Sequence, residues 1–138
     1  MALQYSETLR NNQLDQTEST VGTSAVLRLY SGSVPATTAT AVSGTMLASF
    51  SLPSDWMAAA SGGTKVKSGT WSTTGDAGAS TGTAAGYWRI WDSGVTTCHL
   101  QGTVTVTGGG GDLTLDNTSI ASGQAVAIST FTLTAGNS

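Results

Sequence analysis

Apolar and polar positions begin to alternate at residue 25, and in short pieces the alternation continues to the end of the chain. Residues 25–30 place Ala25, Leu27 and Leu29 on one side and Val26, Arg28 and Tyr30 on the other, which is the period of a strand. Residues 46–52 repeat the pattern, with Met46, Ala48, Phe50 and Leu52 in phase, and end at Pro53. A third strand is expected over 65–72, with Val66 and Trp71 as its large apolar members. The most aromatic strand spans 85–92, where Trp88 and Ile90 oppose Tyr87, Arg89 and Trp91. The clearest alternation covers 97–107, which sets Cys98, Leu100, Val104 and Val106 against His99, Gln101, Thr103 and Thr105.

Gly108–Gly111 is a four-glycine turn into 112–117, where Leu113 and Leu115 point inward. In the last strand, 124–134, Val126 and Ile128 are out of phase with Phe131 and Leu133. A one-residue shift at fixed period predicts a bulge or a change of sheet near Ser129–Thr130. Between these strands, Ser54 is placed to cap a short helical turn through Trp56 and Met57, closed by Gly62–Gly63. The small residues of 76–83 read as a loop.

Residues 1–22 differ. Ser6 can cap a helix and Gly22 can end one, and no other glycine interrupts the segment. Its apolar positions are sparse: Leu14 and Val21 lie two turns apart, with Leu9 off to the side. Such a helix is marginal alone and must lean on its own β-domain or on a neighbour. The expectation is therefore an all-β chain with about seven strands, an antiparallel sandwich or barrel-like body over 23–138, and a short N-terminal helical arm over 1–22.

Composition sharpens this picture. Charged side chains are only 9% of the 138 residues, and the net charge is −3. Ser and Thr make up roughly three residues in ten, so the surface is polar but weakly charged, which favours contact with other subunits. Five scattered cations, Arg10, Arg28, Lys65, Lys67 and Arg89, form no phosphate-binding cluster. Neither nucleic acid nor an anionic membrane is expected as a partner. The N-terminus lacks the basic and apolar regions of a signal peptide, so synthesis in the host cytoplasm is expected.

The search for chemistry returns little. Cys98 and His99 are the lone cysteine and histidine, but adjacent strand residues point to opposite faces and do not meet as a nucleophile–base pair. Asp112 and Asp116 share a strand face, which falls short of the six to eight oxygens of a calcium site. The four glycines lack the Lys-Ser/Thr ending of a phosphate loop. No catalytic residue, metal ligand, cofactor or small-molecule substrate is assigned, and an enzyme is not expected. Tyr87, Arg89 and Trp91 would form an interface patch if their face were open; a covered face is the alternative.

Whole segments are familiar: LQYSETLRN at 3–11 with QLD at 13–15, LPSDWMAAASG at 52–62, TTCH at 96–99 with GTVT at 102–105, DNTSI at 116–120 and FTLTAGN at 131–137. In these the chain resembles small structural proteins of tailed bacteriophages and prophages, over nearly its full length. The resemblance implies a virion component and no particular activity. A capsid decoration (cement) protein is the expected role, on the outer capsid surface, with the major capsid protein and further copies of itself, as in a trimer, as partners. A tail- or fibre-associated module that contacts a host glycan or protein is the alternative. Candidate partner-binding residues are Leu3, Tyr5, Leu9, Arg10 and Leu14 of the arm, and Tyr87, Arg89 and Trp91 of the aromatic strand.

Overall fold

A computed structural model describes residues 3–136; the first two residues of the expected arm, Asn137 of the last familiar segment and Ser138 lie outside it. Among the described residues, one α-helix, α1 (Glu7–Val21), precedes eleven short strands: β1 (Val26–Tyr30), β2 (Met46–Ser51), β3 (Thr64–Val66), β4 (Trp71–Thr74), β5 (Thr83–Ala84), β6 (Tyr87–Trp91), β7 (Cys98–Val106), β8 (Leu113–Leu115), β9 (Ser119–Ile120), β10 (Ala125–Ile128) and β11 (Thr132–Thr134), with a 3-10 turn, Ala77–Ala79, between β4 and β5. The chain is mostly β, as the alternation implies.

The main sheet runs β2-β1-β6-β7-β8, and two-stranded ladders pair β10 with β4, β11 with β3 and β5 with β9. An Ala48–Gly75 bridge joins the β2 edge to the end of β4. At the other edge, β8 lies beside β10, so the main sheet curls around one core. Leu27, Leu29, Phe50, Trp71, Trp88, Ile90, Leu113 and Ile128 are buried there. Phe131 packs edge-on against Trp88, their centroids 5.2 Å apart.

Not every pairing is antiparallel. β7 and β8 run parallel, Val104 opposite Leu113 and Val106 opposite Leu115. The four-glycine run therefore does not make a hairpin. It doubles back over Thr105, and a Cβ on Gly109 or Gly111 would come within 2.8 Å of that side chain. Asp112 secures the return, its Oδ2 accepting from Thr103 N at 2.9 Å and from Thr103 Oγ1 at 3.1 Å. The two carboxylates read from the sequence thus tie loop to strand: Asp116 Oδ1 accepts from Thr107 Oγ1 at 3.4 Å.

Two further expectations are corrected, and an alternative left open at the last strand is decided. The strand expected over 65–72 is two strands broken at Gly69, whose φ of +70° and approach to Pro53 suit glycine alone. Within it the burial is reversed: Lys65 is buried and Val66 is 46% exposed. The helical turn expected after Ser54 is instead an irregular extended segment with a Met57–Lys67 bridge. The last strand splits where its phase shifts, β10 joining β4 and β11 joining β3, so the phase change is a change of sheet.

Bulges account for two other misplaced side chains, Leu47 and Cys98. Leu29 pairs with Ala48 but Tyr30 pairs with Met46, which leaves Leu47 unpaired and turned into the core. Ile90 pairs with Leu100 and Trp91 with Cys98, so His99 is the extra residue. Cys98 consequently shares the face of Trp91 rather than that of Leu100. Val106, expected in the core, is 48% exposed.

Candidate functional site

Ser6 caps α1 as its sequence position suggests, accepting from Leu9 N at 3.2 Å. Gly22 closes the helix with φ +94° and donates to Glu18 O. The apolar stripe is too thin to dock the helix by itself; polar side chains do most of the rest. Glu18 Oε1 accepts from Met57 N at 3.0 Å, Asp15 Oδ1 from Ala60 N at 2.9 Å and Asn11 Oδ1 from Gly63 N at 2.8 Å. The helix thus offers the 57–63 segment a column of acceptors where another strand would offer carbonyls. That is why the segment is extended.

Lys65 reaches into the same joint. Its Nζ lies 2.7 Å from Asp15 Oδ1 and 2.9 Å from Glu18 Oε2, and donates to Ala58 O at 2.9 Å. Burial pulls the Lys65 ammonium toward its neutral form, but the two carboxylates outweigh it and hold the pKa above the ordinary lysine value. Asp15 is held below the usual carboxylate range by its bonds to Lys65 and Ala60 N. The turn at residue 22 therefore joins parts of one packed unit. Two of the familiar segments, 3–15 and 52–62, are the two sides of this joint.

The arm candidates separate on burial. Leu14 is buried and Arg10 is half-buried, its Nη1 donating to Ala135 O at 3.3 Å, so neither is presented to a partner. Leu3, Tyr5 and Leu9 are 62%, 37% and 44% exposed at the N-terminal end of the helix.

The aromatic face is covered. The 31–45 segment closes at its neck, where Ser31 N donates to Thr45 O at 3.0 Å, and folds over the outer side of β1, β6 and β7 as a compact loop. Tyr87 stacks on Tyr30 with centroids 5.0 Å apart, and its hydroxyl donates to Ser43 O and accepts from Ser43 N. Arg89 Nη2 donates to Thr40 O at 2.8 Å and Thr37 O at 3.2 Å, and Gln101 Nε2 to Pro35 O at 2.7 Å. Tyr87 and Arg89 are thus buried anchors of a loop and form no open interface patch.

Half-buried Trp91 lines a cleft of about 420 Å³ between the 38–42 stretch and the start of β7, with Arg89 and Cys98 on the same wall. Burial raises the Cys98 thiol pKa above its ordinary value, against the pull of Arg89. His99 lines a separate groove, of about 290 Å³, beside Gln16 and Val21. The bulge thus places Cys98 and His99 in different clefts. Among the described residues, no three His, Cys, Asp or Glu side chains cluster as a metal site. No helix there is long and apolar enough to cross a membrane.

Comparison with known protein families, curated proteins and solved structures returned no match. The cleft and the apolar helix end therefore carry the functional reading.

Proposed function

We propose that this chain is a structural component of a tailed-phage particle, a decoration protein on the outer capsid surface that binds between capsid subunits. The observation that carries the reading is the exposed Leu3, Tyr5 and Leu9 at the start of a helix fastened to its own domain. The fastened helix presents Leu9, with Leu3 and Tyr5 on the chain leading into it, and α1 is already held by the 57–63 segment, which lowers the ordering cost. The weakly charged surface favours apolar and main-chain contacts with the major capsid protein and with further copies of this chain. The familiar phage-like segments support the same reading, because two of them build the joint that orients this end of the molecule.

The test is co-sedimentation with capsids lacking the native copy. Tyr5→Ser/Leu9→Ser should unfold at the denaturant concentration of the parent yet fail to sediment with capsids. Undiminished sedimentation of that variant would overturn the assignment of this end. The cleft bearing Arg89 and Trp91 favours a second reading, a tail- or fibre-associated module. Electron microscopy of the intact particle separates the two by position.

A further inference from the structure

Strand β7 is paired along the whole of one edge and only part of the other. β6 partners it from Cys98 to Thr103, and Val104 N donates to Gly86 O on the same side at 3.0 Å. On the opposite side β8 pairs with Val104–Val106 alone. Main-chain groups of a strand point alternately to its two edges, so Gln101, Thr103, Thr105 and Thr107 face the β8 side. There Thr107 N donates to Leu115 O at 3.0 Å, and Thr103 N donates to Asp112 Oδ2 at 2.9 Å. Beyond Asp112 the strand position in line with β8 is open. Among the described residues, the N–H and C=O of Gln101 have no hydrogen-bond partner on that side.

The far wall of this opening is a second unpaired edge. Phe131 O accepts from Lys67 N and Ala135 N donates to Gly63 O, both at 3.0 Å, so residues 131, 133 and 135 serve β3. Thr132 and Thr134 therefore turn their N–H and C=O groups away from β3. Both residues are exposed, and among the described residues no second strand pairs with β11. Gln101, Thr132 and Thr134 line one groove of about 500 Å³, with Trp88, Leu100 and Leu133 among its apolar lining. Two open edges of this kind are completed by an extended main chain, and the lining suits apolar side chains at every second residue of it. At ~3.3 Å per residue, the unpaired stretch of β7 takes a segment of about four residues.

Residues 3–6 have that pattern. Leu3 and Tyr5 are 62% and 37% exposed, two positions apart, and precede α1 outside any helix or strand. Ser6, which follows them, is extended, with φ −63° and ψ 155°. The start of α1 also adjoins the end of β11, where Arg10 Nη1 donates to Ala135 O, one residue past Thr134. The base of the segment and the end of the groove are therefore neighbours on one surface, as a two-fold exchange between identical subunits requires. We propose that two copies of this chain exchange these segments, residues 3–6 of each entering the open strand position between β7 and β11 of the other. The inference rests on the part of the proposed function that counts further copies of this chain among the partners, and not on the capsid.

Sedimentation velocity and amide hydrogen exchange of the full chain test this, with no capsid present so that the outcome is separate from the capsid assay. A concentration-dependent dimer is expected, in which exchange at Gln101, Thr132 and Thr134 slows by about tenfold or more relative to the dilute monomer. Thr103 N–H, already bonded to Asp112, should change little. Thr132→Pro removes an outward N–H and no bond to β3. It should raise the dimer Kd by about tenfold or more, one hydrogen bond being lost at each of two reciprocal sites. Leu3→Asp, at an exposed position, should weaken the dimer while unfolding at the parental denaturant midpoint. Acetyl-Ala-Leu-Gln-Tyr-Ser-amide in excess should dissociate the dimer, and its fully N-methylated analogue should not. A chain that stays monomeric up to its highest soluble concentration would overturn the exchange, and protected edge amides in that monomer would show the segment filling its own groove. A dimer whose three edge amides exchange as fast as in the monomer would also overturn it, by placing the contact elsewhere.

Discussion

Replacing Lys65 by Met is the most informative perturbation, because it keeps the side-chain stem and removes only the charge. Lys65 is 3% exposed, and its Nζ serves Asp15, Glu18 and Ala58 O at once. The substitution leaves Ala58 O without that donor and Glu18, itself 19% exposed, without a counter-ion. Breaking a buried pair on one side costs about 3–5 kcal/mol, and the half-open setting of Asp15 brings the expected loss to the lower end, about 3 kcal/mol. Urea titration followed by tryptophan fluorescence measures it, Trp56 lying in the joint with its indole bonded to Gly22 O.

The sign with pH is also fixed. Asp15 has a folded pKa below its unfolded value, so its contribution is present above the unfolded value and fades as pH falls through the folded one. The variant lacks the larger, Lys65 part of that linkage and keeps the bond to Ala60 N, so its deficit should shrink in acid. At the alkaline end, the raised Lys65 pKa means the parent keeps its advantage below the unfolded lysine value and loses it as pH rises through the folded one. A deficit below about 0.5 kcal/mol at neutral pH, the level of a surface pair, would refute the reasoning. So would a deficit unchanged between neutral and strongly acidic solution.

Deleting residues 1–20 should abolish cooperative unfolding, because Lys65 and the 57–63 N–H groups lose their partners; a cooperative transition of parental midpoint would show the helix to be dispensable. Leu14→Ala should cost about 2–4 kcal/mol and Leu9→Ala under about 0.5, by the same titration, since the first is buried and the second is 44% exposed. Gly102→Ala should destabilise by about 1–3 kcal/mol, its Cβ meeting the Trp88 ring at 2.8 Å; an unchanged midpoint would place Trp88 elsewhere.

Local pattern alone determined the helix ends, the strands around Leu27, Phe50, Ile90 and Leu113, and the break near Ser129–Thr130. Period and capping chemistry act between residues a few positions apart, so the sequence displays them directly. The unpaired residues Leu47 and His99 were not legible, because a bulge is a property of two strands in register and its position depends on the partner. Lys65 was not legible as a buried residue either, though Asp15 and Glu18, three apart on one helix face, were the available signal. The parallel return of β8 was hidden behind glycines that permit many turns and specify none. The aromatic strand shows the division best. Its two faces follow from alternation, but whether the outer face met solvent depended on a loop more than forty residues away, tied down by Tyr87, Arg89 and Gln101. Period fixes which side chains share a face, and only the packed chain decides what covers it.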